Sequence, residues 1–179
     1  MKTTDQFARA AEALSEATTI ALACHVNPDA DALGSMLGLS NHLRGLAKHT
    51  VCSFPNDPFE APRWASMLPG TEALVPPSAF PNDPAVMVTC DVASLDRLAS
   101  LGAPAVRATT LIWIDHHATN EGLGTIPIID PSASSTCELS ARRPCARSRT
   151  IRSSSLGGPR CSRGPRRSSR RRRSRRTPR

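Results

Sequence analysis

The 179-residue chain predicts an α/β fold, with a mostly parallel sheet covered by helices on both faces and a disordered basic tail. Three observations predict it. Apolar runs of strand length at residues 18–24, 85–90 and 109–114 alternate with stretches of helical periodicity. None of the runs has the polar alternation of a one-sided sheet, so each reads as a strand buried on both faces. Each delivers a polar cluster at its C-terminal end: His25, then Asp91, then Asp115-His116-His117. In an open parallel sheet that is the edge where ligands bind.

Taken in order, Thr3 and Gln6 have the spacing of a capping box for a helix carrying Phe7, Ala10, Ala11 and Leu14. Residues 18–24 are the first strand. The turn at residues 25–31 then runs into a helix extending to about Ala47, with Leu33, Met36, Leu37, Leu43 and Leu46 as its apolar positions. Residues 50–54 read as a short strand broken by Asn56-Asp57-Pro58. Residues 61–68 read as a short helix stopped by Pro69-Gly70, and residues 72–75 as a strand closed by Pro76-Pro77. After the strand at 85–90, residues 94–101 place Leu95, Leu98 and Leu101 on one side of a short helix. The strand at 109–114 is rich in β-branched residues and apolar on both faces. A last strand covers 125–129, and Ser134-Ser135-Thr136 starts a helix.

Charge divides the chain. Residues 1–139 hold seven Lys and Arg against all fifteen Asp and Glu, whereas residues 140–179 hold sixteen Arg and no acid. The overall formal charge of +8 is therefore the sum of an acidic domain (1–139) and an Arg/Ser/Pro-rich tail (140–179), and it does not describe a uniformly basic nucleic-acid binder. Such a tail buries too little apolar surface to offset the entropy of ordering, and it would bind polyanions without regard to sequence. The six cysteines form no C-x-x-C pair and read as buried free thiols in a reducing compartment. With no apolar leader after Met1 and no run near the ~18 apolar residues of a membrane span, a cytoplasmic location without membrane attachment is expected. Oligomeric state is not legible.

The candidate site is His25, Asp29, Asp31, Asp91 and His116, with Asp115 and His117 beside them. Two aspartates one residue apart do not readily both ionise at close range unless a cation lies between them. Carboxylates outnumber imidazoles and no thiolate has suitable spacing. This donor set favours Mn²⁺, with Mg²⁺ as the second candidate, over structural Zn²⁺. Two such ions about 3.5–4 Å apart can activate a bridging water and clamp a phosphoryl group. The bland alternative is a solvated turn at 25–35 with Asp31 as a helix N-cap and Gly34 allowing close helix–sheet packing. His42 and His49 read as surface residues, and Asn120 as a turn residue.

The wording His25-x-x-Pro28-Asp29-x-Asp31-Ala32-x-Gly34-Ser35, the lone Asp91 after a strand, and Asp115-His116-His117 resemble the first three motifs of the DHH phosphoesterases. They are most similar to the branch of oligoribonucleases and 3′-phosphoadenosine 5′-phosphate (pAp) phosphatases. The resemblance covers about residues 18–139. It implies a two-metal hydrolase acting on short RNA or nucleotide phosphates. It further implies that His25 and Asp29 bind a first metal, Asp31 and His116 a second, and that Asp91 bridges them. His117 would contact the scissile phosphate and Asp115 would orient the histidines. The family pattern also has a later Asp motif and a second domain with a Gly-rich, His-containing substrate loop, and no Asp follows Asp130 here. Residues 140–179 resemble a reading frame translated out of register, which predicts an impaired enzyme. A non-catalytic fragment with a partial metal site and a polyanion-binding tail is the alternative.

Overall fold

The computed structural model describes residues 3–142. Its regular elements are α1 (Thr3–Glu16), β1 (Thr19–Cys24), α2 (Ala30–Gly45), β2 (His49–Ser53), β3 (Val86–Cys90), α3 (Gly102–Arg107), β4 (Thr110–Asp115), β5 (Ile126–Ile129) and α4 (Thr136–Ala141). The strands form one sheet in the order β2-β1-β3-β4-β5, and every pairing is parallel. Pro127, which lacks an amide donor, is tolerated because β5 lies at the sheet edge.

Alternate residues of the central strands feed two cores. Ile20, Leu22, Val88, Cys90, Ile112 and Ile114 pack with Ala10 of α1, with Leu33, Met36 and Leu37 of α2, and with Leu139 of α4. Ala21, Ala23, Met87, Leu111 and Trp113 pack on the opposite face against Leu98, Leu101 and Ala105. The expected α/β architecture is therefore the observed one, with helices on both faces. Register then does the functional work. Cys24 is level with Cys90, and Cys90 with Ile114, so the next residues along each strand, His25, Asp91 and Asp115, emerge side by side. Among the described residues four cysteines are free thiols. Burial pushes Cys52 up to about 11 and holds Cys24 and Cys90 well above the ordinary thiol range.

Local readings fail in three places. Residues 72–75 are not a strand: Thr71–Ala73 is a single 3₁₀ turn, and Leu74 makes only an isolated bridge to Cys52. Gly70 at φ +96° redirects the chain just before, and Pro76-Pro77 removes amide donors just after, which leaves no length for a ladder. The helix at 61–68 is a 3₁₀ segment, Arg63–Met67. Helix α3 follows a 3₁₀ segment, Leu95–Leu101, although its Gly102 and Pro104 look like breakers. Pro104 falls in the first turn, where its missing amide has no intrahelical partner in any case.

Helix α4 runs past residue 139 to Ala141. Arg142 holds its end by pairing with Glu138 at 2.7 Å and Asp130 at 2.9 Å, and it lowers Glu138 to about 2. Of the tail expected to be disordered, 140–179, residues 140–142 instead close α4 and cap it, and residues 143–179 lie outside the described residues. Among the described residues no helix is long and apolar enough to cross a membrane.

Candidate metal centre

Three strand ends and two helix starts build the site. Past β1, the Val26 amide donates to the Arg97 carbonyl at 3.0 Å. Asn27 adopts φ +53°, a left-handed turn that Asn tolerates, and its amide donates to Asn56 Oδ1 at 2.8 Å. Asp29, not Asp31, is the N-cap of α2: its Oδ1 accepts from the Asp31 and Ala32 amides, each at 3.0 Å. Asp31 reaches across the site instead. It accepts from the Thr136 and Cys137 amides at the start of α4, each at 2.8 Å, and from Ser35 Oγ at 3.3 Å. Gly34 serves the same approach, because a Cβ there would lie 3.2 Å from Cys137 Sγ; it allows helix–helix rather than helix–sheet packing.

Asp91 is the centre of the arrangement. It is 3% exposed and sits at φ +62° immediately after β3. Its Oδ2 lies 3.7 Å from His25 Nε2, and its Oδ1 lies 3.7 Å from both His116 Nε2 and His117 Nδ1. Thr136 Oγ1 donates to Oδ1 at 2.9 Å. His116 Nε2 is also 3.7 Å from Asp31 Oδ2. Asp115 is fully buried behind the histidines, where it accepts from His117 Nδ1 at 2.7 Å, the His116 amide at 2.9 Å and Asn120 Nδ2 at 2.6 Å. Asn120 therefore secures Asp115, donating also to the Val92 carbonyl, rather than forming a mere turn. His42 and His49 are exposed and lie on or beyond α2, as their positions suggested.

Electrostatics match this layout. Burial opposes ionisation of Asp91, but hydrogen bonding to His25 and Thr136 outweighs it and keeps the carboxyl below its ordinary range. His25 is raised, mainly by Asp91, with burial and the neighbouring Arg97 charge opposing. His117 is raised by its hydrogen bond to Asp115. Two groups of potential ligands lie close enough to hold a cation: His25, Asp29 and Asp91, and Asp91, His116 and His117. They share Asp91. Oxygen and imidazole donors around a buried carboxylate fit a divalent cation. In the second group His117 is the poorer ligand, because Asp115 already occupies its Nδ1. Asp31 Oδ2 faces His116 and retains accepting capacity.

Three participants escaped the sequence reading: Thr136 on Asp91, the α4 amides on Asp31, and Arg97, whose Nη2 lies 3.1 Å from His25 Nδ1. Each acts across 45 to 106 residues of chain. Only Asn120 had a local signal, standing three residues after the Asp-His-His motif.

The family model described as "DHH family, N-terminal domain" matches residues 19–153. The chain belongs to the DHH family. Two curated relatives are similar to it, both named "Bifunctional oligoribonuclease and PAP phosphatase NrnA". The protein of Thermus thermophilus is 36% identical over 120 residues, covering 67% of this chain and 34% of the relative. That of Bacillus subtilis is 31% identical over 124 residues, covering 68% of this chain and 36% of the relative. The chain thus spans about a third of the length of these relatives. A crystal structure of an exopolyphosphatase-related protein from Bacteroides fragilis superposes with a TM-score of 0.69 at 27% identity. The match covers 76% of this chain and 42% of that one. All five DHH strands and the three motif-bearing turns lie within the family match.

Proposed function

We propose that residues 1–139 of this DHH chain form the metal-binding part of a phosphoesterase that hydrolyses short oligoribonucleotides, pAp or both. Family membership and the names of the two NrnA relatives support the reaction class. The observation that carries the site assignment is Asp91, one buried carboxylate common to both potential ligand groups. In this reading His25 and Asp29 hold one ion, Asp31 and His116 a second, and Asp91 both. Imidazole donors favour Mn²⁺ over Mg²⁺. Divalent ions there would supply Lewis acidity toward water and neutralise charge on a phosphoryl group.

The remaining residues orient and protonate. Asp115 fixes the His117 tautomer through Nδ1 and raises the basicity of the ring, so that the protonated form has its other nitrogen to donate to a phosphate oxygen. Asn120 and the His116 amide hold Asp115 in place. Thr136 and the α4 start clamp Asp91 and Asp31, so the second half of the site depends on α4 docking.

The test is manganese-dependent phosphate release from pAp, and cleavage of a short RNA, by the whole chain and by Asp91→Asn. Turnover in wild type that Asp91→Asn abolishes supports the proposal. Manganese binding without turnover of either substrate would instead favour a non-catalytic metal-binding role, and no manganese binding would end the metal reading.

A further inference from the structure

Arg97 stands in a contradiction that the fold leaves open. Its guanidinium Nη2 lies 3.1 Å from His25 Nδ1, while the Val26 carbonyl lies 2.8 Å from the same nitrogen. A guanidinium only donates and a carbonyl only accepts. If Nδ1 carries the ring proton it satisfies Val26 and repels Arg97; if Nδ1 is bare it accepts from Arg97 and loses Val26. The far nitrogen decides between them. His25 Nε2 faces Asp91 Oδ2 at 3.7 Å, within the first ligand group. To offer a lone pair to a cation there, Nε2 must be bare, and the proton then sits on Nδ1. A cation held there would therefore leave the guanidinium without its acceptor on His25.

The freed side chain then has no internal anion to meet. Arg44, Arg107 and Arg142 each pair with a carboxylate, to Glu72, Asp83 and Asp130 or Glu138. Arg97 has no carboxylate within ion-pairing distance among the described residues, and its side chain is exposed at the rim of the site. Its main chain is anchored on both sides, with its carbonyl accepting from Val26 and its amide donating to Ser94, so the guanidinium stays beside the centre. A fixed cation next to a cation site is favourable only with an anion between them.

We propose that Arg97 is the phosphate anchor of this centre, released from His25 when the ligand set is loaded and then donating two parallel N–H bonds to non-bridging oxygens of the substrate phosphate. This deepens, and rests on, the reading of the site as a phosphoester-hydrolysing metal centre. The fork of a guanidinium matches phosphate geometry in a way a lysine ammonium does not.

Two titrations on the full chain separate the claims: Mn²⁺ into metal-free protein, then inorganic phosphate into manganese-loaded protein, each followed by calorimetry. Arg97→Ala should weaken phosphate binding about 10- to 100-fold, the range for losing charge-assisted hydrogen bonds, and should change manganese affinity less than about twofold. Arg97→Lys should keep part of the phosphate affinity, and Arg107→Ala, a paired arginine outside the site, should keep all of it. Unchanged phosphate affinity in Arg97→Ala overturns the anchor. So does a parallel fall in manganese affinity, which would make Arg97 a positioning residue for His25. Wild type that binds manganese but no phosphate overturns the anchor alone, whereas wild type that binds no manganese overturns the metal reading beneath it.

Discussion

Replacing Asp91 by Asn isolates the charge at the middle of the site. Asn is the right probe because Asp91 sits at φ +62°, a left-handed conformation that Asn tolerates and Ala does not. Asn also keeps an oxygen to accept from Thr136 Oγ1, now at 2.9 Å. The lost quantity is one negative charge about 4 Å from wherever a cation would sit. Two unit charges at that separation interact by ~4 kcal/mol at an effective dielectric of 20, and a divalent ion doubles this. Allowing for relaxation and water entry, a loss of about 2.7 kcal/mol, or roughly 100-fold in Mn²⁺ affinity, is a conservative expectation. Thermal unfolding with and without manganese reads this directly. At a manganese concentration of about 100 times the wild-type Kd, stabilisation is ~2.7 kcal/mol, worth roughly 8–10 °C for a domain near this size. The variant under the same conditions should gain only about 0.4 kcal/mol, or ~1 °C. Without metal the two proteins should melt within a few degrees of each other, since removing the buried charge relieves desolvation while weakening the His25 contact. A manganese shift of wild-type size in Asp91→Asn would refute Asp91 as the shared ligand.

Asp115→Asn should cost about 2–3 kcal/mol of stability in urea unfolding, because an amide in place of the buried carboxylate meets donors from His117, His116 and Asn120. Trp113→Ala should cost about 3–5 kcal/mol, since it empties a fully buried volume and leaves the Val92 carbonyl with Asn120 as its remaining donor. The pH dependence has a definite sign. His25 and His117 are raised in the folded state, so in metal-free protein their contribution is fully present below about 6.5, their unfolded value, and is lost as pH rises through the folded values. Manganese affinity should run the other way, strengthening over that same window as the proton leaves His25, and calorimetry at pH 6 and 8 would show whether it does. Cys24, Cys52 and Cys90 should resist a thiol reagent in the native state and react on unfolding, as mass spectrometry of the labelled peptides can check.

By itself the sequence determined the sheet and the identity of the donors. β1, β3 and β4 are apolar on both faces, a pattern only a strand buried between two layers satisfies, and the polar residue that ends each run has to emerge at the sheet edge. His25, Asp91 and Asp115-His116-His117 could therefore be brought together on paper. The weakly patterned stretch between residues 54 and 85 misleads a reading by periodicity. There, 3₁₀ turns replace the expected helix and strand because Gly70 and the prolines, not hydrophobic periodicity, set the path. Tertiary structure alone decided which oxygen meets which partner. Asp29 and Asp31 are indistinguishable as letters, yet one caps its own helix while the other is drawn across to α4 by two amides more than a hundred residues away. Arg97 and Thr136 entered the site in the same manner, through contacts that no local pattern encodes. Periodicity records which face of an element is buried, but the pairing of hydrogen-bond donors and acceptors depends on how elements pack, and that exists only once the chain has folded.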